Sequence, residues 1–252
     1  MTIIVDDYAV HYELTGKGPM VLALHGWGDN QGSFSQLTKI IGKNYSVLSV
    51  DLPGFGKTDK PRVPFSLELY AQFVAEFLKK LGVHKLHAIV GHSNGGAIAI
   101  KGMSLGIVQA DSLILLASAG VRSMYSGKKK ALRLMAKAAK FPTKILPGQM
   151  QLALKKKAYA RIGSDLFVAE DMQETFKKIV TEDVVFESAM IAVPTLLIYG
   201  SADKATPPEF GRRFAKQIEQ SELKIVENAD HFLHHTHSQE VALHMEEFLG
   251  KI

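Results

Sequence analysis

Ser93, Asp203 and His231 are of the residue types that nucleophilic acyl transfer requires, and the serine lies in the run Gly91-His92-Ser93-Asn94-Gly95-Gly96. A serine hydroxyl is a weak nucleophile until a base takes its proton and a carboxylate orients that base. Here the serine has a glycine two residues away on each side, follows the apolar stretch LHAIV (86–90), and precedes the small-residue run GGAIAI. That context reads as strand, sharp turn and helix. A side chain at the apex of such a turn is pushed out over the sheet edge, and positions 91 and 95 are crowded enough to demand glycine. The competing reading is a phosphate loop without nucleophilic chemistry, but the spacing fits neither a P-loop nor G-x-G-x-x-G.

An elbow is useful only if the same sheet delivers a base and an acid to the same edge. TIIVDDYAVHYELTG reads as two strands joined by a tight Asp-Asp turn. MVLALHG, YSVLSVDLPG, LHAIV, DSLILLAS and PTLLIYG are apolar runs of strand length, and ELKIVEN closes the set. Between them SLELYAQFVAEFLKKLG has helical spacing, with Ser66 as its cap and Gly82 as its stop. Helices are also expected in GSFSQLTKII, PEFGRRFAKQIEQ and SQEVALHMEEFLG. The alternation predicts an α/β fold with a mostly parallel, eight-stranded, doubly wound sheet. It stops between Gly120 and Val193, a stretch rich in Lys, Ala, Leu and Met and broken at Pro142, Pro147, Gly148 and Gly163. We read 121–193 as a helical insertion between two core segments, 1–120 and 194–252.

This topology restricts the search for partners. The loop after PTLLIYG supplies Asp203, whereas the other edge loop, Ala117 to Gly120, contains no acid. A turn-forming or capping role before Pro207 and Pro208 is the alternative for Asp203. ELKIVEN runs into a loop that presents His231 just before the last helix. The run HFLHHTH also holds His234, His235 and His237. A metal cluster could be built from them, but no carboxylate stands at ligand spacing and the following helix is expected to turn most of these rings to solvent, so no metal is assigned. Asp51 ends a strand, and we expect it to hold neighbouring loops by hydrogen bonds.

Composition narrows the class further. With 252 residues and 46% hydrophobic content, one large core is expected. No cysteine is present, which excludes thiolate catalysis and cysteine-ligated metal centres. No apolar run approaches the roughly 20 residues of a membrane span, and MTIIVDDYAV lacks the layout of a secretory signal, so a cytoplasmic protein is expected. The net charge of +5 hides an asymmetry: residues 121–160 hold eleven basic and no acidic side chains, leaving the remainder net negative. Either those lysines are the solvated faces of amphipathic helices, or they attract an anionic carrier protein, a lipid surface or a carboxylate-bearing substrate.

The order Ser93, Asp203, His231, together with HGWG, DLPGFGKTD, GHSNGG, YGSADKATP and ADHF, resembles the α/β-hydrolase family over the two core segments, with the insertion matching only as a helical cap. The resemblance implies a serine carboxylesterase acting on a small or medium acyl ester without metal or organic cofactor and without nucleic acid. It also implies an oxyanion hole from the backbone N–H groups of Trp27 and Asn94. Trp27 and Phe232 are expected against the substrate; His25 and His92 either line the pocket floor or serve as structural histidines. HGWGDN with DLPGFGK is similar to pimeloyl-acyl-carrier-protein methyl ester esterases. KATPP departs from the family pattern, in which an aliphatic residue often precedes the proline. The same residues also resemble those of carbon–carbon bond hydrolases, cofactor-free haloperoxidases and small-molecule receptors with intact triads. Haloalkane dehalogenases and epoxide hydrolases carry Asp where this chain has Ser93.

Overall fold

The computed structural model describes residues 1–122 and 170–252. Its strands are β1 (Thr2–Val5), β2 (Tyr8–Thr15), β3 (Met20–Leu24), β4 (Ser46–Val50), β5 (Ala88–His92), β6 (Leu113–Leu116), β7 (Thr195–Gly200) and β8 (Ser221–Val226). They form one sheet in the order β1-β2-β4-β3-β5-β6-β7-β8. The β1–β2 and β2–β4 pairs are antiparallel and all later pairs are parallel. The expected eight-stranded, mostly parallel sheet is therefore present. The opening hairpin turns on Asp6 and Asp7, with φ of 45° and 64°. Two successive left-handed residues give the twist a two-residue hairpin needs, and a short polar side chain tolerates that conformation.

The central strands are apolar along their length because helices cover both faces of the sheet. One face is covered by α2 (Leu67–Lys80), α3 (Asn94–Ser104) and α5 (Pro208–Ala215), and the other by α1 (Ser35–Ile41) and α7 (Ser238–Leu249). In α2 the Ser66 side chain accepts from Leu69 N–H at 3.2 Å, and Gly82 ends the segment at φ 68°. Its inward stripe of Leu67, Tyr70, Ala71, Val74, Phe77 and Leu78 is buried. On the opposite face Val241, Met245 and Leu249 of α7 meet Leu37 and Ile41 of α1. Each large apolar side chain so buried is worth about 1.5–3 kcal/mol against exposure.

Within 121–193 the described residues contain a 3-10 turn (Glu170–Met172), helix α4 (Gln173–Ile179) and a second 3-10 turn (Glu187–Met190), and no strand. Helix α4 is stitched to the loop after β4. Thr175 Oγ1 accepts from Phe65 N–H at 3.1 Å, Lys178 Nζ donates to Pro64 O at 3.2 Å, and Lys60 pairs with Asp171. Beyond α4 the chain rejoins the core: Val184 N–H donates to Gly120 O at 2.8 Å, and Val184, Val185 and Ile191 are buried in the cluster around α2 and α3. Of the eleven basic residues only Arg122 is among those described; the others, from Lys128 to Lys157, lie outside them. Among the described residues no helix is long and apolar enough to cross a membrane.

Candidate active site

Ser93 stands between β5 and α3 with φ 51° and ψ −114°, a strained backbone for a residue with a side chain. The elbow is held from several directions: Ser93 N–H donates to Leu116 O at 3.0 Å, and Ser93 O accepts from Gly96 N–H and Ala119 N–H at 3.1 and 2.9 Å. The flanking glycines are required by close approach. A Cβ on Gly91 would lie 2.5 Å from Gly96 Cα, and one on Gly95 would lie 2.1 Å from Leu24 O. The start of α3 is thus pressed onto the ends of β3 and β5, which leaves the serine half-buried and accessible at the sheet edge.

Asp203 follows β7 and His231 follows β8, and their loops are tied together. Ala202 N–H donates to Ala229 O at 3.0 Å, Ser201 Oγ donates to Glu227 Oε2 at 3.0 Å, and Asn228 N–H donates to Ser201 Oγ at 2.8 Å. A Cβ on Gly200 would lie 2.2 Å from Ala229 O, so the two loops touch backbone to backbone. Their side chains meet in front of the elbow. His231 Nδ1–H donates to Asp203 Oδ2 at 2.8 Å, and His231 Nε2 accepts from Ser93 Oγ–H at 3.0 Å. The three residues picked from the sequence thus lie in one hydrogen-bonded relay.

Asp203 is buried. Burial opposes its ionisation, but the hydrogen bond and charge of His231, with the N–H and hydroxyl of Thr206, outweigh it and hold its pKa below the usual carboxylate value. Its Oδ1 accepts from Ala205 N–H at 2.7 Å and Thr206 N–H at 2.9 Å. A carboxylate with this many donors stays ionised and cannot rotate away from the imidazole.

Thr206 joins this network although the sequence pattern assigns it no role. It is buried, and its Oγ1 lies 2.8 Å from Asp203 Oδ2, 2.9 Å from Ala117 O and 3.0 Å from His231 Nδ1. The available signal was the departure at KATPP, where a hydroxyl replaces an aliphatic group just before Pro207. The loop Ala117 to Gly120, which contains no acid, supplies the carbonyl that holds this hydroxyl. Tyr199 Oη also donates to Ser118 O at 3.1 Å, so the strand carrying the acid is pinned to that loop.

The other sequence candidates are distributed around the relay. Among the described residues no hydrogen bond takes up the backbone N–H of Trp27 or of Asn94, the first residue of α3. The Trp27 ring packs against Phe55 at 4.8 Å between centroids and against Phe176 of α4 at 5.1 Å, so it joins α4 to the loop after β4. Phe232 is exposed beside His231, with ring centroids 5.5 Å apart.

His25 is fully buried. Its Nδ1–H donates to Gly26 O at 2.7 Å and its Nε2 accepts from Leu52 N–H at 2.9 Å, so both nitrogens clip adjacent loops and burial lowers its pKa. His92 is also buried and donates from Nε2 to His231 O at 2.9 Å. Asp51 holds loops as expected, its carboxylate accepting from Gln31 N–H at 2.7 Å and Lys57 N–H at 2.8 Å. One expectation about the histidine run needs correcting. His234, on the short helix α6 (Leu233–Thr236), is not turned to solvent but fully buried against His92. The turn preceding α7 rotates that ring inward.

Residues 21–243 match the family described as "Alpha/beta hydrolase family". The chain is 25% identical over 260 residues to the 2-hydroxy-6-oxo-6-(2'-aminophenyl)hexa-2,4-dienoic acid hydrolase of Metapseudomonas resinovorans, covering 95% of this chain and 87% of that one. It is 36% identical over 105 residues to the pimeloyl-[acyl-carrier protein] methyl ester esterase of Pseudoalteromonas atlantica, covering 41% of this chain and 38% of that one. Among solved structures, a bacterial membrane phospholipase A superposes with a TM-score of 0.80 at 24% identity, over all of this chain and 85% of that one.

Proposed function

This chain belongs to the alpha/beta hydrolase family, and within it we propose that it is a serine carboxylesterase working through an acyl-enzyme. Ser93 Oγ attacks the ester carbonyl while His231 Nε2 takes its proton. Asp203 keeps the imidazole in the tautomer with the proton on Nδ1 and stabilises the imidazolium that forms. The oxyanion of the tetrahedral intermediate is held by the backbone N–H groups of Trp27 and Asn94, preorganised donors that need no rearrangement as charge develops. As the intermediate collapses, the C–O bond breaks and the imidazolium returns its proton to the departing alkoxide. Water then repeats the attack on the acyl-enzyme and frees the acid and Ser93.

The observation that carries this reading is the contact at 3.0 Å between Ser93 Oγ and His231 Nε2, continued at 2.8 Å from Nδ1 to Asp203. In the same reading residues 121–193 act as a cap over the acyl group, with Trp27 and Phe232 against the substrate. The basic side chains of the cap favour an ester presented on an anionic carrier protein or lipid surface. The test is turnover of p-nitrophenyl acetate and butyrate by wild type and Ser93→Ala. Wild type is expected to turn them over, and the variant to lose about 10³-fold or more in kcat. Equal rates in the two proteins would remove Ser93 from the chemistry.

The similarity to the dienoic acid hydrolase, which extends over nearly the whole chain, favours carbon–carbon bond hydrolysis as a second reading. The same relay can serve both reactions. A kcat/KM for a 2-hydroxy-6-oxohexa-2,4-dienoate well above that for any ester in an acyl-length series would select it.

A further inference from the structure

Beside the relay, three groups that the proposed chemistry does not use converge from distant parts of the chain. Asp29 lies in the loop after β3, His92 is the last residue of β5, and His234 lies on α6. A carboxylate oxygen of Asp29 and one ring nitrogen from each histidine all lie within 4.8 Å of one another. His92 and His234 are 1% and 0% exposed. Among the described residues neither nitrogen of His234 has a hydrogen-bond partner, and neither does His92 Nδ1. The tautomer of His92 follows from its other nitrogen. Nε2 faces the His231 carbonyl at 2.9 Å, and a carbonyl can only accept, so the proton is on Nε2 and Nδ1 presents a bare lone pair.

Leaving a buried polar atom unpaired costs about 1–3 kcal/mol, and native interiors rarely do so. Unpartnered nitrogens on two neighbouring buried histidines, both grouped with the Asp29 carboxylate, call for a partner. Burial also keeps both imidazoles neutral, driving the pKa of His92 down to about 3 with the charge of His231 adding to the effect, and lowering that of His234 as well. Neutral imidazole is the form that binds a metal ion.

We propose that Asp29, His92 and His234 form a binding site for a divalent cation of the zinc class. Two imidazoles and one carboxylate are a set of three protein ligands that leaves a position for water. Donation from the second nitrogen of His92 to a backbone carbonyl is the outer contact that usually orients a ligating histidine. Bonds of about 2.0–2.1 Å place ligand atoms about 3.4 Å apart, so the groups must close in on the ion from their present spacing. Asp29 is the one able to move. It is half-buried, and the hydrogen bond its carboxylate makes is acceptance from Asn30 N–H at 2.9 Å, which leaves the other oxygen to turn inward. The site shares no side chain with the Ser93–His231–Asp203 relay, so it stands whether or not the substrate is an ester.

The test is titration of metal-stripped full-length protein with Zn²⁺ by calorimetry, and with Co²⁺ by its visible absorption. Wild type is expected to take up one ion per chain, with affinity falling about tenfold or more in Asp29→Asn and in His234→Gln. The double variant His235→Gln/His237→Gln, which removes the neighbouring half-buried rings, is expected to keep wild-type affinity. If His234→Gln does not fold, Asp29→Asn decides the matter, since its side chain is isosteric and only half-buried. A wild type that binds neither ion would overturn the proposal. Undiminished uptake in Asp29→Asn, or loss of uptake in Asp203→Asn instead, would overturn it too, by placing the ion on surface histidines or on the relay.

Discussion

Replacing Thr206 with valine removes one hydroxyl from behind the relay and leaves the space filled. The hydroxyl has a single proton and two acceptors in reach, Asp203 Oδ2 at 2.8 Å and Ala117 O at 2.9 Å. A hydrogen bond to a charged acceptor contributes about 1.5–3 kcal/mol, and valine of matching shape adds no cavity term, so Thr206→Val is expected to lose about 2 kcal/mol of stability. Asp203 keeps the N–H donors of residues 205 and 206 and of His231, so it stays ionised but is held on fewer sides. We expect kcat on p-nitrophenyl butyrate to fall about tenfold, equivalent to about 1.4 kcal/mol in the barrier. KM should not change, because Thr206 is buried behind the acid and acts as a positioning residue. Thr206→Ser keeps the hydroxyl and should recover kcat. Thr58→Val is the control. It removes a buried hydroxyl that accepts from His11 N–H at 2.9 Å, far along the chain from the relay, and should cost stability without touching kcat. Steady-state kinetics and urea unfolding of the four proteins decide the matter. A Thr206→Val enzyme with wild-type kcat, or a Thr206→Ser enzyme as slow as Thr206→Val, would refute the positioning role.

Gly95→Ala drives a Cβ to 2.1 Å from Leu24 O, so it should cost about 3 kcal/mol and abolish turnover, while Gly82→Ala, with no atom within 4 Å but φ at 68°, should cost about 1–2 kcal/mol and spare activity; unfolding curves compare them. Asp203→Asn should lower kcat by about 10⁴-fold, since an amide no longer holds the Nδ1–H tautomer. Because the folded pKa of Asp203 is depressed, its ionised form adds stability that is present above the unfolded value near 3.9 and is lost as pH falls through the folded value. The stability gap between wild type and Asp203→Asn should therefore narrow below about pH 4, as read from urea midpoints across pH. Exchanging Lys128, Lys129, Lys130, Lys155, Lys156 and Lys157 for glutamate should raise KM about tenfold for an ester on an acidic carrier protein at low salt and leave p-nitrophenyl butyrate unaffected; equal KM values would mark these lysines as solvated surface.

The fold and the relay were legible because both depend on local pattern. Apolar runs of strand length alternating with amphipathic helices dictate a parallel sheet, and a parallel sheet sends the loops after its strands to one edge. Once that edge is defined, few loops can hold an acid or a base, and the chain order of Ser93, Asp203 and His231 follows. Thr206 was not legible, because a threonine before a proline looks the same whether its hydroxyl meets water or a carboxylate. Its role is created by Ala117 O, brought in by a neighbouring strand.

Side-chain direction was likewise beyond reach of the sequence where helices are short. His234 sits in a run of histidines most of which the following helix was expected to turn to solvent, yet the single turn of α6 aims it at His92 and leaves it fully buried. Asp29 is 205 positions away along the chain and joins them only because β3 and β5 are neighbours in the sheet. The sequence by itself determined the architecture and which serine, aspartate and histidine come together at one sheet edge, since strand pattern and turn chemistry are written in neighbouring residues. Tertiary structure alone decided which buried polar atoms face one another, because those contacts join segments whose proximity is set by the packing of the whole sheet.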